Sequence, residues 1–401
     1  MSESRVDVGV RVPDRVSSAT SQSAGALDRL LSSMPAAAMG VFAATRLITV
    51  FTVAYLLPLR EFRSLHTSLW GWMTGTFDSN WYAAVAAHGY PSGDVGALKF
   101  FPGYPAAIDA IAWIPGIGIA GAGIIVTSVS GLAAAWGIAR LGLSLTGDSR
   151  ISVLMVALWG VAPGAMVLSM MYSEALFCAL AVWALVAVAE RRWLTAGLLC
   201  LAAGVVHSNA VALIAAVAVA ALICVVKSAR AHRPLAESAR PVAAVVLAPL
   251  GFIGWWAYVA VRLGRLDGLA WDQAQIHESF DWGSSTLRTI GHAFVKLPSP
   301  YLLLTVLALL TALALVAWSL TEPTPAYLRV YTLVLAVLAV AVNATFMASK
   351  LRLLLPAFLI ALPLARILAP VRTYVLIPMM VILAMASAWF TLFLATAGKA
   401  P

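Results

Sequence analysis

Charge is what this sequence has least of. Only 11% of its 401 residues are Asp, Glu, Lys or Arg, while 62% are hydrophobic and the mean hydropathy is +0.92. A water-soluble fold cannot bury that much apolar surface, so soluble classes are excluded and an all-α polytopic membrane protein is expected. Cysteine is scarce as well. Cys178, Cys200 and Cys224 all fall in apolar runs, which predicts packing residues and no disulfide. There is no internal repeat and no matching pair of broken helices, which counts against a repeat-built carrier. There is no Gly-rich phosphate loop, no Asp-x-Asp pair in the first loop (it reads FDSN), and no histidine pair at ligand spacing on one helix. No metal and no cofactor are therefore expected. The net charge of +9 would suggest nucleic acid in a soluble protein. Here it is explained by Lys and Arg kept on the cytoplasmic side of a membrane, and no nucleic-acid partner is expected.

What is present is a succession of apolar runs. Residues 1–35 are polar and without periodicity, which predicts a disordered cytoplasmic tail. No apolar run follows the start directly, as it would in a cleaved signal peptide. Pro35 opens the first span, near 36–58. Further spans are expected near 118–140, 151–170, 173–189, 193–207, 209–226, 241–261, 300–320, 328–347, 353–368 and 374–396, all within one transmembrane domain over 36–396. That makes about 11 spans, or 12 if 104–116 also crosses. Arg140, Arg150, Arg191, Arg192, Lys227, Arg230, Arg366 and Arg372 fall on one side, which places the N-terminus in the cytoplasm. Two long loops, about 59–117 and 262–299, then lie outside. Asp78, His88, Glu174, His207, Asn209, Asp272, His277, Lys350 and Arg352 fall on that same outer side. This convergence predicts one extracytoplasmic site.

The first loop carries FDSNWYAAVAAHGY, residues 77–90. Trp81, Val85 and His88 share one helical face, with Tyr82 beside them, as in a short helix at the membrane interface. FFPGYP at 100–105 is a rigid turn, and a second short helix follows over about 105–114. Asp78 either caps the first of these helices or serves as a base. Arg46, in the middle of the first span, must face the protein interior, where it either caps carbonyls or takes part in function. In the second loop, WDQAQIHESFDWG (271–283) joins Trp271, Phe280 and Trp282 to Asp272, Gln275, His277, Glu278 and Asp281. Such a mixture suits sugar recognition, and equally an interfacial aromatic belt. Lys350 and Arg352 stand at a helix start, where they either bind phosphate or reach for the interface. For His88 and His207 the choice is between ligand hydrogen bonds and structural ones. Glu174 is open between sugar hydroxyls, a cation and a helix cap.

FDSNWYAAVAAHGY followed by FFPGYP resembles the first-loop signature of the PIG-V-like mannosyltransferases, membrane glycosyltransferases of the GT-C class. YSEALF (172–177), HSNAVAL (207–213) and SKLRLLLPAF (349–358) resemble later motifs of that family. The likeness runs over roughly residues 40–370. Phe77 stands where Trp is common, and His207 where Arg is common. The resemblance implies a GT-C-like bundle with short interfacial helices in the first outer loop. It implies transfer of mannose from a polyprenyl-phosphate-mannose donor, with inversion, to a lipid, glycan or protein hydroxyl outside the plasma membrane. Asp78 would be the general base. Arg46, Trp81, Tyr82, His88, Tyr104, Glu174, His207, Asn209, Asp272, His277, Lys350 and Arg352 would contact the substrates. The chemistry is compatible. A phosphate leaves already charged and needs cations instead of a general acid, while the acceptor hydroxyl needs one carboxylate. Another polyprenyl-linked sugar, or transport of a lipid or small solute, are the alternatives.

Overall fold

The computed structural model describes residues 15–91, 96–234, 236–276, 278–295, 299–343 and 347–397, with side chains from Met34 onward. It is an all-α protein. Among the described residues six helices are long and apolar enough to cross a membrane: Met34–Leu56, Ile119–Thr146, Ala210–Arg230, Ala236–Leu263, Pro300–Thr321 and Thr373–Thr396. Five shorter apolar helices lie between them: Ser149–Gly160, Glu174–Ala189, Trp193–Gly204, Ala326–Ala341 and Phe358–Leu368. Phe51 is 74% exposed and Ile377 59% exposed on two of the long helices. In water such surfaces would associate; in a bilayer they meet lipid.

Small residues set the helix contacts. Ile119–Thr146 packs against Glu174–Ala189 and against the first helix. Ala134, Ala135, Ala139, Ala181 and Ala184 are fully buried there. Short side chains let helix backbones approach closely, which is how helices gain packing contacts where lipid removes the hydrophobic drive.

Three expectations change in detail. The first helix starts at Arg15, so residues 15–35 are helical instead of a disordered tail; residues 1–14 lie outside the described set. Pro35 lies inside this helix, where the polar segment passes into the apolar run. The 151–170 span ends early: Ser149–Gly160 is helical, and a turn through Pro163 and Gly164 (φ 83°) leads into a 3₁₀ turn over Ala165–Ser169. The 353–368 span is likewise broken, with Ser349–Leu353 separated by Pro356 from Phe358–Ile360 and Ala361–Leu368. Proline removes a helical N–H and crowds the preceding turn. Both breaks fall beside the candidate site.

The two long loops are structured. The first contains helices Asp78–His88 and Gly103–Ala112, close to expectation. The second contains helices Gly268–Gln275 and Ser284–Val295. A two-residue strand between these, Ser279–Phe280, pairs antiparallel with Val342–Asn343. That pairing ties the second loop to the segment carrying Lys350 and Arg352.

Candidate active site

The site is built on breaks in helices, where backbone and side chains are free to converge. The Asp78–His88 helix starts abruptly. Its cap residue, Phe77, has φ 51° and ψ −126°, a conformation that costs a non-glycine residue about 1–3 kcal/mol. Asp78 is therefore the first helical residue and not the cap. Its backbone N–H donates to Tyr172 Oη at 3.3 Å. Its carboxylate turns to Arg352, with Oδ2 2.6 Å from Nη2. The capping alternative for Asp78 gives way to an ion pair.

Arg352 lies on the short Ser349–Leu353 helix, and three side chains make four hydrogen bonds in and around it. Asn209 Nδ2 donates to the Leu353 carbonyl at 3.1 Å, and Trp159 Nε1 to the Leu355 carbonyl at 3.1 Å. Lys350 Nζ donates to the carbonyls of Ala339 (3.2 Å) and Val342, closing the end of the preceding helix. The guanidinium rests over the Tyr172 ring, 5.4 Å from its centroid, and its Nε is 3.4 Å from Glu174 Oε1. Burial works against the charge, but Asp78 and Glu174 more than offset it and hold Arg352 protonated above its ordinary range. Among the described residues, Arg352 Nη1 and Glu174 Oε2 are buried without a hydrogen-bond partner. Burying a polar atom without a hydrogen bond costs about 1–3 kcal/mol.

An aromatic wall backs this pair. Tyr82 Oη and Ser173 Oγ share a hydrogen bond of 2.7 Å. The Tyr82 ring meets Phe100 and Tyr104 edge-on at 5.1 and 4.9 Å, and Trp81 stacks on Phe100 at 5.5 Å. Tyr104 Oη bonds Thr127 Oγ1 at 2.7 Å. Gly103, in the FFPGYP turn, donates its N–H to the Val205 carbonyl at 2.7 Å. A Cβ there would lie 2.8 Å from that same oxygen, so glycine is what lets the turn dock against the His207 corner. At that corner the Asn209 N–H donates to His207 Nδ1 at 3.1 Å, which leaves the ring proton on Nε2. Burial pulls the His207 pKa down to about 4, and the nearby Arg352 charge adds to it, so the ring is neutral at pH 7.

Part of this wall, Tyr82 and Phe100, joins the Asp78–Arg352 pair in lining a cavity of about 320 Å³. Six predicted site residues come together there: Asp78, Tyr82, Glu174, His207, Asn209 and Arg352. The others do not line it. Arg46 donates to the Gly160 carbonyl, at the end of the Ser149–Gly160 helix, and to the Ala165 carbonyl in the 3₁₀ turn that follows. Lys350 serves the two carbonyls named above, and burial lowers its pKa to about 8. Trp81 and Tyr104 stand behind the wall. His88 is exposed at its helix end. Asp272 is buried and accepts the Gly96 N–H at 2.8 Å, which fixes the turn over Gly96–Lys99. His277 lies outside the described residues.

Glu278 and Phe280, read in the sequence among the polar and aromatic groups of the second loop, also line the cavity, and Lys99 is a lining residue that the sequence did not single out. Lys99 and Glu278 form an ion pair of 3.1 Å on the cavity wall. Gln273, Ser349 and Phe100 also line it. The position of Lys99, next to FFPGYP in the first loop, was the one signal that could have singled it out. Among the described residues no group of three His, Cys, Asp or Glu gathers as metal donors would. Compared with known proteins, the chain matches no family model and no curated protein.

Proposed function

We propose that this protein is a membrane glycosyltransferase that moves mannose from polyprenyl-phosphate-mannose to an acceptor hydroxyl, with inversion. On this reading the six long and five shorter apolar helices are eleven crossings of the plasma membrane in a GT-C-like bundle. The N-terminus is cytoplasmic and the cavity opens on the extracytoplasmic face. The observation that carries the reading is the pairing of Asp78 with Arg352, which also meets Glu174, in a cavity lined by His207 and Asn209. A sugar phosphate suits such a cavity, since Arg352 is a forked cation for phosphate oxygens and Asp78 a carboxylate for a hydroxyl proton.

The steps follow from those groups. Phosphate oxygens of the donor take over Arg352, a forked cation suited to two oxygens at once. That loosens the grip of Arg352 on Asp78. The Asp78 carboxylate then accepts the proton of the acceptor hydroxyl as its oxygen forms the bond to the anomeric carbon. The bond from that carbon to the phosphate oxygen breaks on the opposite face, and the electron pair leaves with the phosphate, stabilised by Arg352. His207 offers its Nε2–H as a neutral donor, and Tyr82 and Phe100 supply an apolar wall for the sugar face. The lipid-linked donor is a substrate, and the scheme needs no cofactor. The acceptor is a lipid, glycan or protein hydroxyl.

The test is transfer of labelled mannose by purified full-length protein from polyprenyl-phosphate-mannose to a membrane-lipid acceptor pool. Labelled product is expected from this donor and none from a nucleotide-linked mannose. Binding of donor without transfer from it, alongside transfer from another polyprenyl-linked sugar, would replace mannose. Failure to bind any polyprenyl-phosphate donor would remove the glycosyltransferase reading.

A further inference from the structure

We propose that Lys99 is the second cation of the donor site, and that it leaves Glu278 to bind the donor's phosphate together with Arg352. The proposal rests on the glycosyltransferase reading and names a phosphate-binding residue that the sequence motifs do not single out.

Charge balance motivates it. Among the described residues the cavity lining contains three carboxylates, Asp78, Glu174 and Glu278, and two cations, Arg352 and Lys99. His207 is neutral. Arg352 is already shared between Asp78 and Glu174. An incoming phosphate that faced Arg352 alone would compete with two carboxylates for one guanidinium. Lys99 is the other cation on the wall, and Lys350, its rival from the sequence, is committed to backbone carbonyls.

Geometry supports it in two ways. First, the Lys99–Glu278 pair is a single contact of 3.1 Å between side chains that are 18% and 23% exposed. Lysine carries three donors, and a phosphate oxygen can join or displace Glu278 at one of them. Second, the backbone under Lys99 is fixed from several directions. Buried Asp272 accepts the Gly96 N–H at 2.8 Å, Trp255 Nε1 donates to the Leu98 carbonyl at 3.2 Å, and Tyr90 Oη donates to the Phe100 carbonyl at 2.5 Å. Lys99 Nζ also lies 5.1 Å from the Phe100 ring centroid. An ordinary surface ion pair contributes little and needs no such platform. A binding cation needs its position held before the ligand arrives.

The experiment measures binding of polyprenyl phosphate, without sugar, to detergent-solubilised full-length protein at about 0.15 M and 0.5 M salt, the higher value screening distant charges. The variants are Lys99→Gln, Lys99→Arg and Glu278→Gln. Lys99→Gln should weaken binding about tenfold or more at both salts, and Lys99→Arg should stay within a few fold of wild type. Glu278→Gln should tighten binding, because the competing carboxylate is gone. If the pair only holds the loop, Lys99→Gln and Glu278→Gln break the same contact and weaken binding alike; that result overturns the proposal. So does unchanged binding by Lys99→Gln, with the donor reading left standing. If wild type fails to bind polyprenyl phosphate, the donor reading falls and takes this one with it.

Discussion

The carboxylate of Asp78 and the guanidinium of Arg352 meet at 2.6 Å, one at the start of a first-loop helix and the other on a five-residue helix between two breaks. Neither group is spent on its own helix. Arg352 answers two carboxylates, so removing it leaves Asp78 and Glu174 facing each other without compensation. Arg352→Met should therefore destabilise the protein by about 3–5 kcal/mol, seen as a large fall in Tm in detergent. Arg352→Lys should restore much of the stability but little of the activity, because an ammonium cannot span two phosphate oxygens as a fork does.

Lys350 should behave differently from Arg352. Its ammonium serves the Ala339 and Val342 carbonyls. Lys350→Met should cost about 2 kcal/mol of stability, the scale of hydrogen bonds to a charged group. The KM of the folded fraction should be unchanged. A raised KM with unchanged Tm would restore Lys350 as a ligand for phosphate.

Gly103→Ala tests the docking of the first loop. The added Cβ would meet the Val205 carbonyl oxygen at 2.8 Å, a backbone atom that cannot rotate away. The loop should shift from the His207 corner, with a loss of about 1–3 kcal/mol in stability and a rise in KM. A neutral result in both would mean that this contact does not position the wall.

His207 sets a pH dependence. Its folded pKa is near 4, below the ordinary value of 6.5, so the unfolded chain binds a proton first as pH falls. Stability from this group is full above about pH 6.5 and is lost as pH falls from there toward 4. Wild type should lose more Tm between pH 7 and pH 5 than His207→Gln does. Equal losses would show that His207 is not buried neutral.

The sequence carried the helices further than the contacts. Apolar periodicity and the placement of Lys and Arg put Asp78, Glu174, His207, Asn209 and Arg352 at one end of the bundle, and the structure brings these five to one cavity. Buried cations were harder. Whether Arg46 or Lys350 serves ligand or backbone depends on which carbonyls a helix break leaves unpaired. Those breaks, at Gly160 and after Ala341, sit within apolar runs whose periodicity does not reveal them. Lys99 and Glu278 were invisible as a pair because their partnership joins two loops far apart in the chain. Asp272 read as a ligand because it lies in a polar, aromatic loop, yet its work is to hold the Gly96–Lys99 turn. Trp81 and Tyr104 share a motif with true lining residues but stand one layer behind them.

The most direct test of the account is single-turnover sugar transfer by wild type and Asp78→Asn, each saturated with polyprenyl-phosphate-mannose, with donor affinity measured on the same samples. The account predicts that Asp78→Asn binds donor as well as wild type or better, since Arg352 loses a competitor. It also predicts that the variant transfers sugar about 100-fold or more slowly, the scale of a lost general base. Transfer by Asp78→Asn at the wild-type rate would contradict it and leave Asp78 as a structural partner of Arg352.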